Sequence, residues 1–114
     1  MERLRRRADF LKAAGGIKVA APAFVLQACR RRDEKPARVG FTVSRKVGNA
    51  VERNRVRRRL REAVRLSAAG RMKPGYDYVL VGRRAALERA FDRMQQDLEG
   101  ALQRIHSAHQ SAAR

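Results

Sequence analysis

One cysteine, no tryptophan, three prolines and eight glycines among 114 residues put several kinds of protein out of reach. A lone Cys29 cannot close an intrachain disulfide, nor complete a zinc ribbon or knuckle, and it suits a reducing compartment. Glycine and proline are too sparse, and no stretch recurs at the period of about 20–50 residues expected of repeat proteins, so collagen-like, solenoid and low-complexity builds are excluded. No apolar run approaches the roughly 18 residues of a membrane span. The basic residues at 3–7 resemble the start of a secretory signal, but Asp9, Lys12 and Lys18 surround a Gly15-Gly16 break where its apolar segment belongs. The reading is a soluble, cytoplasmic chain.

Acid is scarce as well. Lys and Arg number 28 against 11 Asp and Glu, a formal net charge of +17, and such self-repulsion calls for a polyanionic partner. Up to Arg65 there are 20 basic and 6 acidic residues, net +14; beyond it 8 and 5, net +3. The first part is therefore expected to meet the partner. With 44% apolar residues the chain supports one core and a single polyanion-binding domain over residues 1–114, ordered at about 4–106 and frayed over 107–114.

Leu4, Ala8, Leu11 and Ala14 fall at helical spacing, with Gly15 as a left-handed stop. Residues 23–30 alternate as a strand, with Phe24, Leu26 and Ala28 on one side and Val25, Gln27 and Cys29 on the other. A polar turn at 31–38 leads to a second alternating run with Val39, Phe41 and Val43, and the two strands are expected to form a hairpin. Asn49 with Glu52 three residues on is close to a capping box, so a helix starts at Ala50. On it Val56, Leu60, Ala63 and Val64 share one arc, and Asn54, Arg57, Arg58, Arg61 and Arg65 a neighbouring one. Lys73-Pro74-Gly75 is a turn and residues 76–82 a further strand. From about Ala85 the series Leu87, Phe91, Met94, Leu98, Leu102 and Ile105 forms a long amphipathic helix. The fold class is α/β, a single-domain two-layer sandwich of a small mixed sheet packed with helices.

A solvated helix face mixes charges of both signs at i,i+4, whereas Arg53, Arg55, Arg57, Arg58, Arg59, Arg61 and Arg65 have only Glu52 and Glu62 among them. Like charges that close repel unless a ligand neutralises them, which favours a nucleic-acid backbone. Aromatics make up only 5% of the chain and spacing favours them as core, although Phe10 and a strand residue would stack unpaired bases on an open sheet face. Motifs of hydrolases and nucleotide-binding loops are absent and the acids are scattered. His106 and His109, three apart, read as an inert surface pair, and Cys29 as a small core side chain. From its residues alone this is a nucleic-acid binder without its own active site. A structural RNA-binding protein such as a ribosomal one shares these features, and a DNA-groove binder comes third for want of a helix-turn-helix spacing.

The run VGNAVERNRVRRRLR at residues 47–61 is more particular. It resembles the signature of the bacterial ribonuclease P protein subunit, with Val47, Ala50, Arg53, Asn54, Arg55, Val56, Arg57, Arg58, Leu60 and Arg61 filling its positions without a gap. Leu4 with Asp9-Phe10 and Gly15 is similar to that family's first helix, residues 38–46 to the strand entering the motif, and residues 77–83 to its last strand. The resemblance implies a ribosomal-protein-like fold with a left-handed crossover, and a subunit that helps a catalytic RNA cut the 5′ leader from precursor transfer RNA with Mg²⁺ held by the RNA. It implies contacts to the catalytic RNA from Lys46, Arg53, Asn54, Arg55, Arg57, Arg58, Arg61 and Arg65. It also implies leader binding by Phe10, Gln27, Thr42, Ser44 and Arg45. Ala14 and Gln27 depart from aromatics common in the family, so weaker base stacking is expected there.

Overall fold

The computed structural model describes residues 2–68 and 70–112. In chain order these form β1 (Glu2–Arg3), α1 (Arg7–Ala14), β2 (Ile17–Ala20), β3 (Phe24–Arg30), β4 (Arg38–Thr42), α2 (Ala50–Ala63), β5 (Tyr76–Gly82) and α3 (Phe91–Ala112), with 3₁₀ turns at Arg45–Val47 and Arg84–Leu87 and a widened π turn at Val64–Ala68. The five strands make one mixed sheet in the order β1-β4-β5-β3-β2.

The expected β3–β4 hairpin does not form. β5 lies between them, antiparallel to β3 (Phe24 opposite Gly82, Arg30 opposite Tyr76) and parallel to β4 (Arg38 opposite Asp77, Thr42 opposite Val81). The reason lies in β5: of its seven residues only Val81 is not buried, so it needs a neighbour on each edge as well as cover on each face. β3 instead makes its hairpin with β2, whose half-buried Ile17 and Val19 alternate with exposed Lys18 and Ala20. The connection from β4 to its parallel neighbour β5 passes through α2.

α2 and α3 cover one face. Val56, Leu60, Ala63 and Val64 are all buried there, as the spacing predicted, together with Phe24, Leu26, Tyr78, Leu80, Met94, Leu98, Leu102 and Ile105. The other face carries α1, which buries Ala13 against Leu4 and Val79, with Phe10, Cys29 and Val81 packed around them. The layered build holds, with α1 added across part of the second face. Burial pushes the Cys29 thiol up, with Asp77 adding to the shift, in keeping with a packing role.

Three boundaries differ from expectation. Gly15 ends α1 at φ −83°, right-handed rather than left-handed; its N–H still bonds back to Leu11 and Lys12 carbonyls, so no positive φ is required. The last helix begins at Phe91, because residues 84–87 coil into a separate 3₁₀ turn. It then runs on past Ser107, where fraying was expected, to Ala112; residues 113–114 lie outside the described residues.

Candidate nucleic-acid interface

α2 is held at its start by the predicted cap. Asn49 Oδ1 accepts from the Glu52 N–H at 2.8 Å and Glu52 Oε1 accepts from the Asn49 N–H at 3.0 Å, a reciprocal box with Asn in place of Ser or Thr. Arg84 ties this corner to the segment after β5, donating to the Val47 carbonyl at 2.6 Å and to Glu52 at 3.2 Å. The Asn49 N–H, then Arg84, holds the Glu52 carboxyl below its usual range. The helix is thus fixed rigidly enough to present a surface.

That surface is a cationic face with little internal compensation. Asn54, Arg55, Arg58, Arg61 and Arg65 are exposed, as are Ser44, Arg45 and Lys46 in the turn before the helix, while Arg53 and Arg57 are half-buried. Among the described residues Arg65 pairs with Glu62, but no carboxylate stands within ion-pair distance of Lys46, Arg53, Arg55, Arg57, Arg58 or Arg61. Their contacts are weaker anchors. Arg57 donates to Asn54 Oδ1 at 3.1 Å, and the Arg61 guanidinium lies 5.7 Å from the Phe41 ring centroid. Arg59 differs from all of these, since it donates to the carbonyls of Ala86 at 2.5 Å and Arg89 at 2.6 Å and so joins α2 to the approach to α3.

The other sequence-predicted residues gather on the opposite side of the sheet. The Phe10 ring lies on Gly40, where a Cβ would come within 2.6 Å of it, so glycine is what lets the ring approach the strand. Register places Gln27 beside Val79 and Thr42 beside Val81, all on the face that α1 only partly covers. Phe10, Gln27 and Thr42 are each half-buried. Ser44 and Arg45 follow at the end of β4, where the chain turns toward α2.

Sequence reading missed what anchors α1. Asp77, 1% exposed, accepts from Arg31 at 2.6 Å and from Arg38 at 2.7 and 2.6 Å, and Arg38 reaches Asp9, the neighbour of Phe10, at 3.4 Å. A lone acid in an otherwise apolar strand was the available signal, because a buried carboxylate demands cationic partners. The two histidines were also misjudged. His106 Nε2 lies 2.8 Å from the Tyr78 hydroxyl and His109 Nδ1 3.0 Å from that of Tyr76, so both join α3 to β5.

The geometry can now be set beside known proteins. The family model described as Ribonuclease P matches residues 1–106. This chain belongs to the ribonuclease P protein family. It is 52% identical over 103 residues to the ribonuclease P protein component of Gluconacetobacter diazotrophicus, covering 90% of this chain and 89% of that one. With the component of Ruegeria pomeroyi identity is 51% over 108 residues, 91% and 86% covered. The solved ribonuclease P protein of Thermotoga maritima superimposes with a TM-score of 0.76 at 33% identity, covering 92% of this chain and 98% of that one. That of Staphylococcus aureus gives 0.73 at 30%, covering 90% and 94%. These likenesses support the mixed α/β fold and ribonuclease P function, and none favours the ribosomal alternative.

Proposed function

We propose that this chain, as the protein component of ribonuclease P, works in the cytoplasm and grips the enzyme's catalytic RNA with α2 while its partly open sheet face takes the 5′ leader of precursor transfer RNA. The observation that carries the reading is the set of cations at 53, 55, 57, 58 and 61 on a capped, packed helix, with Lys46 in the turn before it, all without carboxylate partners among the described residues. Guanidinium groups so placed replace counterions between crowded phosphates and form charge-assisted, often bidentate bonds to them. Asn54 adds a neutral donor and acceptor in the same row. Phe10, Gln27 and Thr42, with Ser44 and Arg45 at the rim, offer an aromatic edge and hydrogen-bonding groups to an unpaired strand.

Mg²⁺ would supply the activated water and leaving-group stabilisation for phosphodiester hydrolysis. The donor set of this chain does not suit it. Asp9, Asp33, Asp77, Asp97, Glu52 and Glu62 are all engaged by arginine, and no three acidic, histidine or cysteine side chains converge among the described residues. The metal belongs with the RNA phosphates, and the protein's part is to neutralise charge and orient the strand.

The test is cleavage of a precursor transfer RNA by the cognate catalytic RNA at low Mg²⁺, with and without this protein. Restored processing at the correct 5′ position is expected. RNA binding that leaves cleavage unchanged would overturn the reading.

A further inference from the structure

Along the edge of α2 that faces the start of α3 runs a groove of about 680 Å³, lined by Arg55, Arg58, Arg59, Arg61, Glu62 and Phe91. Its size lies within the roughly 300–1,000 Å³ of small-molecule sites, well beyond what one phosphate needs. Phe91 is the first residue of α3 and is half-buried, its ring resting on the main core and reaching the groove. Arg59 is pinned by the Ala86 and Arg89 carbonyls, so one wall is a guanidinium plane held in place. Arg55 and Arg58 at the rim are exposed and without carboxylate partners among the described residues, whereas Glu62 is occupied by Arg65.

From this juxtaposition we infer that the groove takes one unpaired nucleotide of the RNA bound by α2, its base against Phe91 and the Arg59 plane and its phosphate on Arg55 and Arg58. An aromatic ring beside a fixed guanidinium is the arrangement on which single-stranded bases stack, and the arginines that line the same groove meet the phosphate of the same nucleotide. Glu62, both of whose oxygens accept from Arg65, keeps spare lone pairs that accept from a base amino group and orient the base inward. The site extends the interface from α2 onto α3 and makes Phe91 a binding residue. It rests on the reading that α2 lies on RNA.

The experiment measures affinity for the cognate ribonuclease P RNA across a salt series for wild type, Phe91→Leu, Phe91→Tyr and the pair Arg55→Ala/Arg58→Ala, with thermal melting of each protein. Stacking predicts a loss of about 5-fold or more for Phe91→Leu, an unchanged salt slope, and near-wild-type binding for Phe91→Tyr, which keeps the ring. The arginine pair should lower the slope by about 0.7, from the one phosphate the two side chains share. RNA carrying 4-thiouridine should crosslink to the peptide that begins α3. Wild-type affinity of Phe91→Leu, with the slope still responding to the arginine pair, overturns the groove and leaves the α2 reading standing. Equal losses for Leu and Tyr accompanied by lower melting temperatures assign Phe91 to packing and also overturn it. A slope indifferent to the arginine pair overturns the α2 reading and the groove with it.

Discussion

Asp77 and Arg59 show how little of a residue's role follows from its type. Asp77 is buried in the central strand and is paid for by Arg31 and Arg38, the first of which also reaches Asp33 and the second Asp9. Standing between two carboxylates raises the pKa of Arg38 far above its ordinary value, through the Asp77 hydrogen bond first and then the charges of Asp77 and Asp9. Removing one member of a buried charge set leaves the others desolvated and unpaired, which costs more than the set contributes. Asp77→Ala should therefore destabilise the fold by about 3 kcal/mol in urea unfolding; a loss below about 1 kcal/mol would be the behaviour of an exposed pair. Arg59, meanwhile, lies one position from Arg58 in a run of identical side chains, yet it ties two main-chain carbonyls while Arg58 is left free for a ligand.

At the scale of elements, α3 docks through chemistry that a hydrophobic period cannot show. The Tyr78 hydroxyl accepts from the Lys73 main-chain N–H at 3.0 Å and that of Tyr76 from Arg30 Nε at 3.0 Å, which leaves each hydroxyl proton to be donated to neutral His106 or His109. The tyrosine rings stack with centroids 5.4 Å apart. Burial lowers both histidines below the ordinary 6.5, aided by Lys73, His109 and Arg30 at His106 and by Arg30 at His109. A histidine lowered in the folded state takes up its proton more readily when unfolded, so stability is complete above about pH 6.5 and falls as pH drops toward the lower folded values. Melting temperature should decline from pH 7.5 to 5.5, and His106→Gln/His109→Gln should flatten that decline. A slope unaltered in the double variant would assign it to other groups. The elements themselves were legible where signals are local: the α2 start rests on Asn49 and Glu52 three residues apart, and the strand at Tyr76–Gly82 on a run between turn residues. The β3–β4 hairpin was not, because which strands pair depends on the two-sided burial of a segment more than 30 residues downstream of β4.

Over the whole molecule the sheet separates the two candidate surfaces. α2 shares one face with α3, and α1 with Phe10 occupies the other, so two anionic strands can be met without competing for the same residues. Phe10→Ala should lower affinity for leader-bearing precursor by about 5-fold, the lower end of a lost base stack, and leave mature transfer RNA unaffected. Comparing the two substrates in one binding assay checks this, and equal losses on both would remove the leader from that face. Substitutions on α2 should by contrast weaken both substrates through the shared RNA.

The residues alone determined that this chain binds a polyanion, that its basic helix starts at Ala50 with Val56 and Leu60 turned inward, and, through the run at 47–61, which family it joins. Each of these is carried by charge or by neighbours within a few positions. Tertiary structure decided which arginines are free and which are structural, that Phe10 rests on Gly40 beside Gln27 and Thr42, that His106 and His109 bond to Tyr78 and Tyr76, and that Phe91 borders the arginines of α2. Those relations join residues tens of positions apart, and they exist only once strand order has brought the segments together.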